Sequence, residues 1–542
     1  MSSRRARAVP LSAAVALAVL AGLITAFLAP SQAQAAGGRL TAEYTTTGDW
    51  RTGHVGAILL HNTGTTYSAD WTIRFDLPAG HRITTLWNAE YTVEGQRVTL
   101  TPPDWLRPMA PGKTHRIGFT ATRPGSSAGI VNCLVNGLTC DGGQLEPDDG
   151  HVRLGYYTSW SIYGRDYRLK DVDTTGQAAK LTHIKYAFGS ADESGDCHTL
   201  DPWADYQIRF PADQTVSGEA DTWTQPLGGN FNQLLQLKQK YPHLKVLISL
   251  GGWTASDHFS EAVKPENLAD FVDSCIDTFI RGNLPDAPPG AAYGVFDGFD
   301  FDWEWPGPGG EPGQPWDPAD RENYGLMMTE FRSQLDALEI ELGREFTMSS
   351  YTAADPEVFE AAFDVPRAKA ALDFFVVQGY DLYGPWGDVP TNHQGQLYSP
   401  SRNPAINDYS VDIAVDTLRS AGIPAHQIVI GIPAFGRGWA GVEDRDGGLY
   451  QYGTGPASGK YEPGIDDYKE ILTKGGTIRY DREAVAAYVL TPAGEFWSFD
   501  SPRVVTAKAE YVKYNGLRGV MLWALDGDDD GALVAAAYDV LA

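Results

Sequence analysis

The chain has 542 residues, more than one hydrophobic core usually serves, so two or three domains are expected. Asp and Glu outnumber Lys and Arg by 69 to 42, for a formal charge of −27; this argues against nucleic acid and anionic membranes as partners and leaves neutral or cationic ones. The 11 histidines and 4 cysteines show no zinc-type spacing, so neither a metal nor another cofactor is expected.

The chain opens with Arg4, Arg5 and Arg7, runs through an apolar stretch over 9–30, and reaches Ala33-Gln34-Ala35. That order describes a secretory leader spanning 1–35. A membrane anchor fits less well, because the flank after Ala35 is small and neutral and no second long apolar run follows. Arg4-Arg5 leaves the export route open. The mature chain is expected to be extracellular, soluble and monomeric, with its cysteines paired by an oxidising destination: Cys133 with Cys140 as a local clip, Cys197 with Cys275.

Next come short β-rich runs at 54–60, 71–75 and 97–101, separated by Gly, Asn and Pro turns. They predict an all-β sandwich over 37–140. Residues 141–150 (DGGQLEPDDG) read as a short linker. From 151 to 542 the pattern changes to strand then helix, with strands expected at 152–157, 183–188, 246–250, 298–304, 346–351, 374–378, 429–432 and 519–524. Amphipathic helices lie between them, such as 267–281 and 324–342. Eight such units predict an α/β fold, a (β/α)8 barrel. The long gap before the eighth strand predicts a small α+β insertion over about 440–502.

In Asp297-Gly298-Phe299-Asp300-Phe301-Asp302-Trp303-Glu304 acidic and aromatic residues alternate. On a strand this puts Asp300, Asp302 and Glu304 on one face, with Phe299, Phe301 and Trp303 on the other. The aromatic face belongs against the helices, so the acids point into the barrel. Carboxylates about 6–7 Å apart along a strand cannot all ionise cheaply, so the trio should share a proton and titrate as a unit. Glu304 lies at the C-terminal end, where barrel active sites sit, and is the natural general acid.

These residues match the DGxDxDxE signature of glycoside hydrolase family 18, the chitinase family, and Ser249-Leu250-Gly251-Gly252-Trp253 resembles its SxGG motif. Gly155-Tyr156-Tyr157 with Trp160, Lys185-Tyr186-Ala187-Phe188, Tyr380-Asp381, Gly436-Arg437-Gly438-Trp439 and Leu522-Trp523 resemble the family's other strand ends. Tyr461-Glu462-Pro463-Gly464-Ile465 is similar to the insertion that deepens the cleft of processive bacterial members. The resemblance implies a secreted enzyme that hydrolyses β-1,4 links between N-acetylglucosamine units of chitin or chito-oligosaccharides with retention, the substrate's acetamide oxygen serving as nucleophile. It assigns Glu304 as acid and then base, Asp302 to the acetamide N–H, Asp300 to hold the shared proton when Asp302 turns, and Tyr380 as donor to the acetamide oxygen. Trp523 is expected as the floor beneath the reacting sugar, with Trp253, Tyr156 and Phe188 around it. Asp381, Arg437 and Gln378 are further substrate contacts, and Trp160, Trp223 and Trp386 extend a stacking track.

Three positions depart from the family pattern: Gln378 replaces a common methionine, Phe435 a tyrosine, and Ala524 an acid. They bear on subsite preference and pH optimum, and leave the acid, its aspartates and the tyrosine in place. Two alternatives are weighed against the chitinase reading. A lectin on an inactive barrel is disfavoured by the presence of Glu304. An endo-β-N-acetylglucosaminidase acting on N-glycans is disfavoured by the insertion and the extra domain.

The N-terminal domain resembles family 2 carbohydrate-binding modules through Trp50, Trp87 and Trp105, with Trp71 expected in the core. The family's early cysteine and long Ser/Thr/Pro linker are absent. The resemblance implies a flat tryptophan strip that stacks on crystalline chitin or cellulose.

Overall fold

The protein is described by a computed structural model that covers residues 40–542 apart from 51, 65–66, 69–70, 78–80, 95–96, 104, 123–129, 137 and 141–149. The expected leader and nearly all of the expected linker lie outside the described residues. Among the described residues no helix is long and apolar enough to cross a membrane.

The N-terminal domain is a sandwich of two antiparallel sheets. One orders Leu40–Trp50, Gly53–Asn62, Thr114–Thr122 and Arg82–Trp87; the other orders Glu90–Glu94, Arg97–Thr101, Ile73–Asp76, Val131–Val135 and Leu138–Thr139. Period-two alternation turns Ile58, Leu60, Ile117 and Phe119 of the first sheet towards Ile73, Phe75 and Leu100 of the second. Trp71 is buried in this core, as expected. Cys133 and Cys140 are bonded across the last hairpin.

The second domain is a closed barrel of eight parallel strands: β1 (Val152–Thr158), β2 (His183–Ala191), β3 (Lys245–Gly251), β4 (Gly298–Asp302), β5 (Thr347–Thr352), β6 (Phe374–Val377), β7 (Ile428–Pro433) and β8 (Gly519–Trp523). Neighbours pair in chain order and β8 returns to β1. All eight lie where the sequence pattern predicts them, and Glu304 falls just beyond the end of β4. The strands are buried on both faces, as a parallel sheet wrapped by helices requires.

Helices alternate with the strands and stop where the chain supplies stop signals. Asp320–Leu342 ends on Gly343 in the left-handed region. Pro356–Ala362 begins with Asp355 accepting from the Glu357 and Val358 amides, and Ser410 caps Val411–Ser420. The second disulfide, Cys197 to Cys275, ties the hairpin after β2 to helix Leu268–Cys275.

The insertion starts earlier than the expected 440. Gly436 to Trp439, read from the sequence as a barrel strand end, form the strand Phe435–Ala440 of the insertion's own sheet, which runs on through Ile465–Asp467, Ala486–Leu490 and Phe496–Phe499. A separate apolar cluster of Trp439, Val442, Leu449, Tyr488 and Phe496 stabilises it.

Candidate active site

The site grows from β4. Phe299 and Phe301 face outward onto Phe331 of Asp320–Leu342, at 5.0 and 4.7 Å between ring centroids, and Trp303 stacks on Phe259. The opposite parity drives Asp300 and Asp302 into the barrel, where both are buried.

Asp300 is saturated. Its Oδ1 accepts from Lys185 Nζ at 2.7 Å and Ser349 Oγ at 2.6 Å; its Oδ2 accepts from Tyr156 Oη at 2.7 Å and Ser249 Oγ at 2.8 Å. Four donors, one of them a buried ammonium, thus fill its two oxygens. One layer higher, Asp302 has only a long contact from Tyr156 Oη at 3.5 Å, and its Oδ1 is buried with no hydrogen-bond partner. Burial, followed by the Asp300 charge, pushes its pKa up to about 8 against the pull of Lys185.

Glu304 is held by its amide, which donates to Ser256 Oγ at 3.2 Å. Burial, then the Asp302 and Asp381 charges, raise its pKa well above the carboxylate range. Glu304 is half-buried and lines the cleft. The SxGG segment lets β3 approach: a Cβ at Gly251 would sit 2.5 Å from the Asp302 carbonyl, and one at Gly252 2.7 Å from the Phe188 ring.

Above these acids opens a cleft of about 940 Å3. Trp523 forms its floor, 4.7 Å from the Tyr156 ring and stacked on Phe188 at 5.9 Å. Two arginines brace the insertion. Arg437 pairs with Asp381 at 2.7 Å and lies 5.2 Å over the Trp386 ring. Arg165, on the loop after β1, pairs with Asp467 at 3.3 Å and Asp526 at 3.0 Å and lies 4.1 Å over Tyr461.

Of the residues expected around the sugar, Asp302, Glu304, Tyr380, Trp523, Trp253, Phe188, Asp381, Arg437, Gln378, Trp160 and Trp386 line this one cleft. Tyr156 does not: it lies beneath Trp523, wholly buried, as a donor to Asp300. Trp223 is not among the lining residues and is 81% exposed. Sequence reasoning missed Trp305, Tyr351, Arg165, Asp467 and Asp526 in the lining and Ser349 beneath it. The signal for two of them was present, since Ser349 and Tyr351 are polar groups at alternate positions of a buried strand.

On the sandwich, Trp50 and Trp87 share the outer face of the first sheet. Trp50 lies over Gly53 and Trp87 over Gly118, where any Cβ would strike the indole. They are 47% and 40% exposed; Trp105 is 64% exposed on a neighbouring loop, edge-on to His115.

A (β/α)8 barrel whose C-terminal mouth gathers carboxyls of raised pKa under an aromatic-walled cleft belongs to the class of enzymes that cleave glycosidic bonds. Residues 152–528 match the family model for glycosyl hydrolases family 18, and the chain belongs to that family. Residues 40–140 match the cellulose binding domain. Chitinase C of Streptomyces lividans is 33% identical, with 97% of this chain and 96% of that protein covered; Chitinase 63 of Streptomyces plicatus is 32% identical, with 99% of each covered. Among solved structures, the catalytic domain of the psychrophilic chitinase B from Arthrobacter TAD20 matches with a TM-score of 0.70 and 39% identity, over 72% of this chain and 95% of that one.

Proposed function

We propose that the protein is an extracellular chitinase that hydrolyses β-1,4 links between N-acetylglucosamine units with retention, using the substrate's own acetamide as nucleophile. The observation that carries this reading is Asp302 Oδ1, a buried acceptor with no partner, beside Glu304 and above the saturated Asp300. An acetamide N–H is the donor that fits it. In this reading the acetamide oxygen attacks the anomeric carbon while Glu304 protonates the leaving oxygen. With its proton passed to Asp300, Asp302 orients the N–H and offsets the positive charge of the oxazolinium, and Tyr380 donates to the acetamide oxygen. Water then enters with Glu304 as base. A nucleophile supplied by the substrate leaves the protein only positioning, proton transfer and electrostatics to provide.

The tryptophans of the sandwich hold the enzyme on insoluble chitin or cellulose, because pyranose rings offer flat C–H surfaces to exposed indoles. Action outside the cell is supported by the basic-apolar leader and by the two disulfides. The test is product release from colloidal chitin by the mature protein and by Glu304→Gln, with the anomer of the first product recorded by NMR. Initial β-anomer, lost in the variant by about 10²–10⁴-fold, is expected. Binding without hydrolysis in the wild type would instead indicate a lectin.

A further inference from the structure

β6 ends at Val377, and the chain beyond it brings Tyr380 and Asp381 into the cleft lining. Asp381 sits in the left-handed region, at φ 56°, which a residue with a side chain keeps only where its surroundings hold it. The grip on its backbone comes from Gln394, a wholly buried glutamine. The Asp381 N–H donates to Gln394 Oε1 at 3.1 Å, and the Leu382 N–H to the Gln394 carbonyl at 3.0 Å. One residue on, Gly395 packs so closely that a Cβ there would come 3.1 Å from the Gly379 carbonyl oxygen. Residues 394 and 395 therefore touch the chain on both sides of Tyr380. The other end of the glutamine amide meets the insertion: Nε2 donates to the Phe435 carbonyl at 3.0 Å, and the Gln394 N–H donates to Ser498 Oγ at 3.0 Å. Phe435 lines the cleft, and Ser498 is in register with Arg437. Asp381 is thus tied to the insertion twice, by its carboxylate through Arg437 and by its amide through Gln394.

We propose that Gln394 is a positioning residue: by gripping the Asp381 amide and the Phe435 carbonyl with the two ends of one side chain, it fixes the turn that aims the Tyr380 hydroxyl at the substrate's acetamide. This rests on the acetamide-assisted reading above. A glutamine amide carries an acceptor and a donor on one planar group, and here each is used once, on opposite banks of the join between barrel and insertion. A hydrocarbon of the same length fills the space but leaves the Asp381 N–H and the Phe435 carbonyl without these partners. The left-handed turn at Asp381 then loses the contact that holds it, and Tyr380, the residue before it, loses its aim. Supporting groups of this kind govern rate because a donor in the site works only within a narrow range of position.

The test is a double-mutant cycle on a soluble N-acetylglucosamine tetramer, with Gln394→Met, Tyr380→Phe and both together, each variant's melting curve serving as the folding control. Gln396→Met is the structural comparison: Gln396 is as fully buried, two residues on, but its Nε2 donates to the Tyr409 carbonyl, at 2.6 Å. Gln394→Met is expected to lower kcat by about five- to tenfold, the order of one hydrogen bond, with KM within about twofold. Gln396→Met should lower the melting midpoint to a similar extent and keep kcat within about twofold. In the Tyr380→Phe background Gln394→Met should cost less than about twofold, because the hydroxyl it aims is gone. Gln394→Glu, which keeps the acceptor for the Asp381 amide and sets an oxygen against the Phe435 carbonyl, serves the same cycle if the methionine variant does not fold. Wild-type kcat in Gln394→Met, an equal loss of kcat in Gln396→Met, or losses that multiply in the double variant would overturn the proposal while leaving the acetamide mechanism standing. An unchanged kcat in Tyr380→Phe would remove both the Tyr380 donor role and this inference.

Discussion

Burial holds the Asp302 carboxyl at a pKa of about 8, against about 3.9 in an unfolded chain. Between those values the folded state binds a proton that the unfolded state has released, so stability falls as pH rises from about 4 to 8. Asp302→Asn removes that linkage. It is expected to raise the melting midpoint at pH 7 by about 1–3 °C relative to wild type and to leave it nearly unchanged at pH 4, while sharply lowering kcat on chito-oligosaccharides. Melting curves at the two pH values check the first expectation. A midpoint lowered equally at both would mean that Asp302 makes stabilising contacts as an anion. Asp300 differs in its surroundings, with four donors on its two oxygens. Two aspartates two residues apart on one strand thus sit in opposite surroundings, one filled with donors and one nearly without them.

At the scale of elements, the insertion meets the barrel beyond its two chain connections. Arg165 reaches from the loop after β1 to Asp467 and Tyr461 of the insertion and to Asp526 after β8, and the Tyr461 hydroxyl donates to the Gly164 carbonyl at 3.3 Å. Arg437 reaches in the other direction, from the insertion to Asp381 after β6. These braces make the cleft wall part of the folded body. Arg165→Ala leaves Asp467 and Asp526 without their shared cation, and amide exchange over 461–473 is expected to quicken by about tenfold while β1 to β8 keep their protection. Hydrogen exchange read by mass spectrometry checks this. Unchanged exchange over 461–473 would show that the insertion's own core suffices to hold the wall. The Arg165–Asp467 brace is also pH-sensitive: burial pushes Asp467 up to about 6, so its charge and the ion pair fade as pH falls through that value.

At the scale of the molecule, the two domains present different surfaces to a sugar chain. The barrel offers a deep cleft with its acids at the bottom, and the sandwich a flat face with indoles laid over glycines. The first suits a single chain and the second a crystal face. Trp50→Ala with Trp87→Ala is expected to reduce adsorption to insoluble chitin or cellulose by about tenfold or more, given the area each indole presents. Hydrolysis of soluble oligomers should stay within about twofold. Depletion assays beside soluble-substrate kinetics check the pair, and an equal loss on both substrates would count against separate duties for the two domains.

Local pattern was enough to reveal the eight strands, the sandwich and the inward parity of Asp300, Asp302 and Glu304, because period-two and period-3.6 burial act within a few residues of chain. Most of the cleft was legible through short motifs at strand ends. Which side chains meet across the barrel is a different matter, decided by closure and stagger rather than by any local period. That is why the saturation of Asp300 by donors from β1, β2, β3 and β5 was not read in advance, nor the descent of Tyr156 beneath Trp523, nor the place of Tyr351 beside Trp305 and Tyr380. Trp223 followed the aromatic pattern and still fell outside the cleft lining, since a stacking residue is defined by the surface it shares with others.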